Sequence, residues 1–430
     1  MPEQSKPLFS RPVLAAIMLL STLGIWVLNL TAPSQQLPTP SIAQWHTESG
    51  IPVTWLTTSQ WQEGNKLELS FIFQAPSDSA QLTHLTLAML MSDSLPLSTA
   101  TINQRLSPLA AKASANFDSE RQILGLTFSN ESQYLEPTLN FVQQWLSEPS
   151  FKQRTFANKQ QRTPLELSTQ MALTKALFKT EAAHTDDIIS LSQVHDYYQT
   201  LKQNLVAISV VGPLGDHALT QIQNHLNQIT QGFQLPEASY QSVALQEHHT
   251  EQLGNGQLWQ TNSALALQPL SSTQDWVSLQ LWGGDLVRQF NQEPSMNFVQ
   301  LNLSLTPQQP WAWWNIQYRQ AVLVSDEETT AGELNAASFV QLENLPSVND
   351  QTKFNELFDT FKQQVTSQAL SPTWWNHIAT QVVQPQGPFD LQAFADQLPD
   401  TIDNLTRGNY KERLESLFAP SSYQEIQVYQ

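Results

Sequence analysis

QLTHLTLAMLMSDS, residues 81–94, carries one histidine, His84, among apolar neighbours. On a helix of 3.6 residues per turn, Leu87 and Ala88 at i+3 and i+4 share the face of His84. A helix that binds a metal through side chains one turn apart needs lone-pair donors at those positions. This one offers an imidazole, an isobutyl group and a methyl. It has the outline of a metal-binding helix with the metal chemistry taken out.

Strand patterns surround this helix. Residues 51–57 and 66–74 read as a strand pair; in the second, Leu67, Leu69, Phe71 and Phe73 alternate with Glu68, Ser70 and Ile72. After the helix come a second one over 98–106, which Ser98 would cap, and two strands over 111–117 and 121–129 joined at Asp118-Ser119. Leu135, Leu139, Val142 and Leu146 place a helix over 133–146, and a more polar helical region runs over 153–177. A helix over 192–202, a buried strand over 204–211 and an amphipathic helix over 217–229 follow. Residues 233–256 have little apolar periodicity and read as a linker. The pattern then restarts: strand 258–267, helix 275–290, strands 297–305 and 313–324, helices 350–370 and 372–383, strand 423–429. Ser371 would cap the last helix, with Pro372 at its first position. The expected class is α+β, with two mixed α/β domains at 44–232 and 257–430 that repeat one order of elements, a duplication by architecture.

The length of 430 residues exceeds what one core usually supports. Asp and Glu outnumber Lys and Arg by 38 to 20, and the net charge of −18 argues against nucleic acid and against adhesion to an anionic membrane surface. With no cysteine there is no disulfide, thiolate metal site or cysteine nucleophile. Lys6 and Arg11 precede the uncharged run PVLAAIMLLSTLGIWVLNL at 12–30, long enough for a membrane span and longer than a typical signal core. The expectation is a cytoplasmic segment 1–11, a single-pass anchor 12–30 in the inner membrane, a tether 31–43 containing PSQQLPTP, and a body in the periplasm. A cleaved signal, leaving a periplasmic protein, is the alternative, with Leu30-Thr31-Ala32 a poor cleavage site.

This order of elements, with residues inside it, resembles the pitrilysin/insulinase family of zinc metallopeptidases in its short-chain, two-domain form, over nearly all of the exported body. In that family a Gly-Leu-Ala-His-Phe-Leu-Glu-His-Met-Leu run holds an H-x-x-E-H arrangement: two histidines bind zinc and the glutamate is the base. Residues 81–90 stand in its place, and Leu82, His84, Met89 and Leu90 match. The resemblance puts the base on Leu87 and the second histidine on Ala88. It puts the third ligand, a glutamate, on Glu166, beyond Pro149-Ser150-Phe151, which resembles the family's Pro-x-Phe turn. Tyr197-Tyr198 to Val211-Gly212 resembles a stretch ending in Val-Val-Gly-Asp, with Pro213 at the aspartate. Leu281-Trp282-Gly283-Gly284 resembles the Leu-Gly-Gly start of a second-domain helix, and Arg288 stands for an arginine that holds the substrate backbone. The tyrosine that should follow is absent, Phe298 being the nearest aromatic.

The resemblance implies the fold without the chemistry: no catalytic residue, no metal and no cofactor, with His84, Leu87, Ala88 and Glu166 as degenerate site positions. Loss of the base alone removes about 3–5 kcal/mol of transition-state stabilisation. Leu85, Met89 and Leu90 are expected to hold the helix to its sheet, and Leu87 and Ala88 to floor a chamber. Asp186-Asp187, Asp326-Glu327-Glu328 and Glu247-His248-His249 read as solvated runs rather than cation sites. Trp311, Trp313, Trp314, Trp374 and Trp375 suit either a core or a partner surface. Three readings follow: a non-catalytic subunit that pairs as a heterodimer with an active zinc peptidase homologue; a stand-alone periplasmic scaffold or binder of peptide or unfolded protein; and a metallopeptidase with a relocated site.

Overall fold

The alternation in KLELSFIF buries Leu67, Leu69, Phe71 and Phe73 on one face of a strand, yet Glu68, Ser70 and Ile72 on the other face are buried too. Such a strand must be covered on both sides. The computed structural model describes residues 37–76, 79–118, 120–160, 165–178, 189–236, 249–306, 310–319, 340–382 and 389–430. The expected span 12–30, Asp186-Asp187, Glu247-His248 and Asp326-Glu327-Glu328 lie outside them. Among the described residues no helix is long and apolar enough to cross a membrane.

In chain order the elements are β1 (Ser41–His46), β2 (Pro52–Thr57), β3 (Lys66–Phe73), α1 (Ala80–Leu90), α2 (Ile102–Leu106), β4 (Lys112–Phe117), β5 (Gln122–Ser129), α3 (Ser132–Ser147), α4 (Gln153–Gln160), α5 (Leu165–Leu177), α6 (Leu191–Lys202), β6 (Leu205–Val211) and α7 (Asp216–Ile229). There follow β7 (His249–Leu253), β8 (Leu258–Ala266), α8 (Thr273–Gln292), β9 (Met296–Ser304), β10 (Trp311–Tyr318), α9 (Pro346–Asn349), α10 (Gln351–Gln368), α11 (Pro372–Val382), α12 (Leu391–Asn404), α13 (Arg407–Leu417) and β11 (Gln424–Tyr429). The first sheet runs β1-β2-β6-β3-β5-β4 and the second β7-β11-β8-β10-β9. Apart from the extra β1 the two orders correspond, and β2 pairs parallel with β6 as β7 does with β11. The mixed strand and helix duplication is therefore present as topology.

Several expectations need correction. The strands at 51–57 and 66–74 do not pair: β6, all seven of whose residues are buried, lies between β2 and β3. A strand buried on both faces takes the centre of the sheet however late it occurs in the chain. The expected tether 31–43 already contains the start of β1, and the expected linker 233–256 contains β7, whose five residues are all exposed. Both are edge strands; β7 is held by backbone pairing alone, and β1 adds only Trp45 to the core. Ser98 does not cap α2; Thr101 does, in a reciprocal box with Gln104, and the Ser98 hydroxyl accepts from Arg105 instead. Helices α12 and α13 were not anticipated.

Residues Pro38–Gln430 form one unit, within which the two sheets exchange a helix. α5, from the first half, lies on β8 and β11; α11, from the second half, lies on β3 and β6. Leu173, Leu177 and Phe178 pack against Ala264, Ala266, Trp311 and Ile426. α11 meets the other face of β3: Thr373 Oγ1 donates to Glu68 at 2.7 Å, and Asn376 exchanges hydrogen bonds with Ser70 at 2.9 and 3.1 Å. The Ser209 hydroxyl donates to Asn376 at 3.3 Å, and Arg121 donates to the Thr380 and Gln381 carbonyls at 2.5 and 3.0 Å, at the helix C-terminus.

The tryptophans divide by alternation. Trp311 meets Phe178 under α5 at 6.5 Å between centroids, while Trp314 meets Trp282 and Tyr423 on the opposite face, each at 5.9 Å. Trp311, Trp314 and Trp375 are core; Trp313 and Trp374 are half-buried. Gly283 lets α8 lie close on β9, since a Cβ there would sit 2.6 Å from Leu301 Cδ2 and force that side chain to move.

Candidate functional site

Ser79 caps α1 by accepting from the Leu82 N–H. Leu85, Met89 and Leu90 are buried in the core of the first half, as their spacing implies, and Trp145 Nε1 donates to the Leu90 carbonyl at 3.0 Å. Thr83 Oγ1 donates to Tyr197 Oη at 3.0 Å. Just past the helix, Asp93 accepts from Thr155 and pairs with Lys152 at 3.4 Å. Burial pushes its carboxyl up, but those two partners outweigh it and hold the pKa below the ordinary value. The scaffold of the site is firmly held.

Leu87 differs from expectation. It is only 3% exposed and belongs to the same core as Leu85 and Met89, so it floors no chamber. His84 and Ala88 are half-buried. The His84 ring lies 6.3 Å from that of Phe117 on β4. Burial, and secondarily the charge of Lys159, push its pKa below the ordinary imidazole value. α4, which carries Lys159, packs on α1, and α5, which carries Glu166 in its first turn, touches α1 as well. The side chain of Glu166 lies outside the described ones.

Zinc does not fit this set. Leu87 and Ala88 have no lone pairs, Leu87 is committed to the core, and the charge acting on His84 is a lysine. Among the described residues no group of three His, Cys, Asp or Glu could hold a metal elsewhere. Arg288 pairs with Glu356 of α10 at 3.3 Å on the exposed surface. Phe298 is exposed on β9, and His249 is exposed on β7.

Beside His84 the sheet ends at β4, whose outer edge no strand among the described residues covers, a feature the sequence did not reveal. Asp118 N–H donates to the Arg121 carbonyl, so alternation turns the N–H and C=O of Phe117, Ala115 and Ala113 away from β5. Asn103 of α2 already fills the Ala113 position: its Oδ1 accepts from the Ala113 N–H at 2.7 Å and its Nδ2 donates to the Ala113 carbonyl at 3.0 Å. One carboxamide thus stands in for one residue of a neighbouring strand, leaving Ala115 and Phe117 as the open part of the edge.

No family model and no curated relative matches this chain. Solved structures do. A protease from Helicobacter pylori superposes with TM-score 0.68 at 10% identity, over 91% of this chain and 100% of that one. An inactive domain of peptidase M16 from Pseudomonas fluorescens gives 0.66 at 16%, over 90% and 98%. The fold is that of the M16-like peptidases. It is the pitrilysin-like architecture that the sequence resemblance implied. A ferredoxin protease in complex with Arabidopsis ferredoxin gives 0.63 at 13%, with 92% of this chain covering 46% of that one. Identities this low carry the fold and nothing finer.

Proposed function

We propose that this chain is a catalytically inactive pitrilysin/insulinase-like subunit, exported and held at the inner membrane by residues 12–30, that pairs as a heterodimer with an active zinc peptidase homologue in peptide or protein processing. The observation that carries the reading is Leu87, at 3% exposure, in the position of the catalytic base. A carboxylate there would be buried in an apolar core, so the loss is built into the packing and is not one substitution from repair. The match to 46% of the ferredoxin protease supports pairing, because a unit of this size occurs there as part of a longer chain. Native purification from membranes tests it: the expected result is co-purification with an H-x-x-E-H homologue whose peptide turnover falls when this chain is removed. A monomer that alters no such homologue overturns it.

The outer edge of β4 favours a second reading, a stand-alone binder that takes an extended peptide against Ala115 and Phe117 without cleaving it. Peptide binding by the isolated chain, weakened by Ala115→Pro, would support that reading. Peptide affinity only in the presence of a homologue would return the case to the first.

A further inference from the structure

A cavity of about 630 Å³ opens where the N-terminal ends of α10 and α13 meet, a size suited to a ligand of a few residues. Phe354 and Phe358, stacked at 5.5 Å between ring centroids with 20° between their planes, and Leu405 supply its apolar lining. Its charged lining is Arg407 and Lys411, one turn apart on α13, with no acidic residue. That is unusual on a chain of net charge −18.

Both cations retain free hydrogen-bonding capacity. Arg407 Nη1 donates to the Asn349 carbonyl at 2.7 Å, which uses one of five guanidinium N–H groups. Lys411 pairs with Glu415 at 3.7 Å, too far for a hydrogen bond. Asp350, next in sequence to Asn349 of the lining, forms no ion pair with either of them among the described residues. Its carboxylate caps α10, accepting from the Thr352 and Lys353 N–H groups at 2.7 and 3.2 Å.

We propose that this cavity binds a carboxylate carried on an apolar or aromatic group, as at the C-terminus of a peptide ending in phenylalanine. Arg407 has the planar fork to grip the carboxylate, Lys411 adds a second charge beside it, and the half-buried Phe358, backed by the buried Phe354, offers its ring to the terminal side chain. The site belongs to the helices of the second half and does not depend on the pairing reading above.

Calorimetric titration of the full chain with acetyl-Ala-Ala-Phe, as the free acid and as its C-terminal amide, tests the proposal. The acid should bind at least about tenfold more tightly than the amide, because only it makes charge-assisted bonds. Arg407→Gln should weaken the acid by about tenfold and leave the amide unchanged. Phe358→Ala should weaken both. Lys411→Gln, at an exposed position, gives the same comparison should Arg407→Gln perturb folding. Absence of binding at millimolar peptide, equal affinity for acid and amide, or indifference to both charge substitutions in folded protein overturns it.

Discussion

α5 reaches the second sheet through Leu173 and Leu177, laid on Ala264, Ala266 and Trp311, whereas α11 reaches the first through Thr373 and Asn376, hydrogen-bonded to Glu68, Ser70 and Ser209. The two helices hold equivalent places in a duplicated topology, so the difference is one of chemistry and not of geometry. An apolar contact is non-directional and tolerates small slides. A row of hydrogen bonds fixes one register and leaves costly orphans when broken. The α5 contact should therefore carry more of the stability, and the α11 contact more of the alignment between the two halves.

Trp311→Ala should show the largest effect, about 3–5 kcal/mol in urea unfolding, towards the lower end because the buried indole N–H has no hydrogen-bond partner to lose. Arg121→Met should cost about 3 kcal/mol, since it strips the α11 carbonyls of their donor and leaves the Asp118 carboxyl, already pushed up by burial, without its nearby cation. Asn376→Ala should cost about 1 kcal/mol. It should also raise amide exchange across α11 while leaving α5 unchanged. Equal exchange in both helices would break the contrast. Molar sodium sulfate should sharpen it further, by strengthening the apolar contact in the Asn376→Ala protein without restoring α11 protection.

The smallest effect concerns α1, which α5 touches. The pKa of His84 is lowered in the fold, so the unfolded chain takes up a proton near pH 6.5 that the folded chain takes only at lower pH. The His84 contribution to stability should be flat above about pH 6.5 and should fall as pH drops from there towards the folded pKa. Burial lowers the pKa of His225 and His377 too, so His84→Gln should reduce the slope without abolishing it. Lys159→Gln should reduce it by raising the imidazole pKa, followed by NMR of the ring.

Legibility in the sequence followed locality. The helix read at 81–94, which runs Ala80–Leu90, the β4–β5 hairpin and Ser371-Pro372 were marked by neighbouring residues, and each formed close to where it was expected. Strand order was not, because the neighbour of β3 arrives more than a hundred residues later. SIAQWH and HTEQL lack apolar alternation, so β1 and β7 read as tethers. At the site, His84 and Ala88 lie on the half-buried side of α1, whereas Leu87, which the spacing puts on the same face, lies in the core. A helix apolar on most sides does not say which leucine faces the core, and that choice is made by α3 and α6 packing behind it. Asn103 could not be found by pattern at all, since an asparagine that completes a strand edge looks like any other.

The exchange of helices also sets an order of assembly for a chain that emerges N-terminus first, as it does on the far side of the membrane under the proposed export. When β6 emerges, the first sheet can form, but the helix that covers its other face is still unsynthesised for roughly 10–30 s at ordinary elongation rates. That waiting face carries Glu68, Ser70 and Ser209, which water can solvate in the interval, beside a small apolar patch that includes Ile72 and Ala207. The other apolar surface that waits is on α5, a single helix side instead of a whole sheet. A nascent chain built this way keeps its adhesive surface small until the matching sheet exists to receive it.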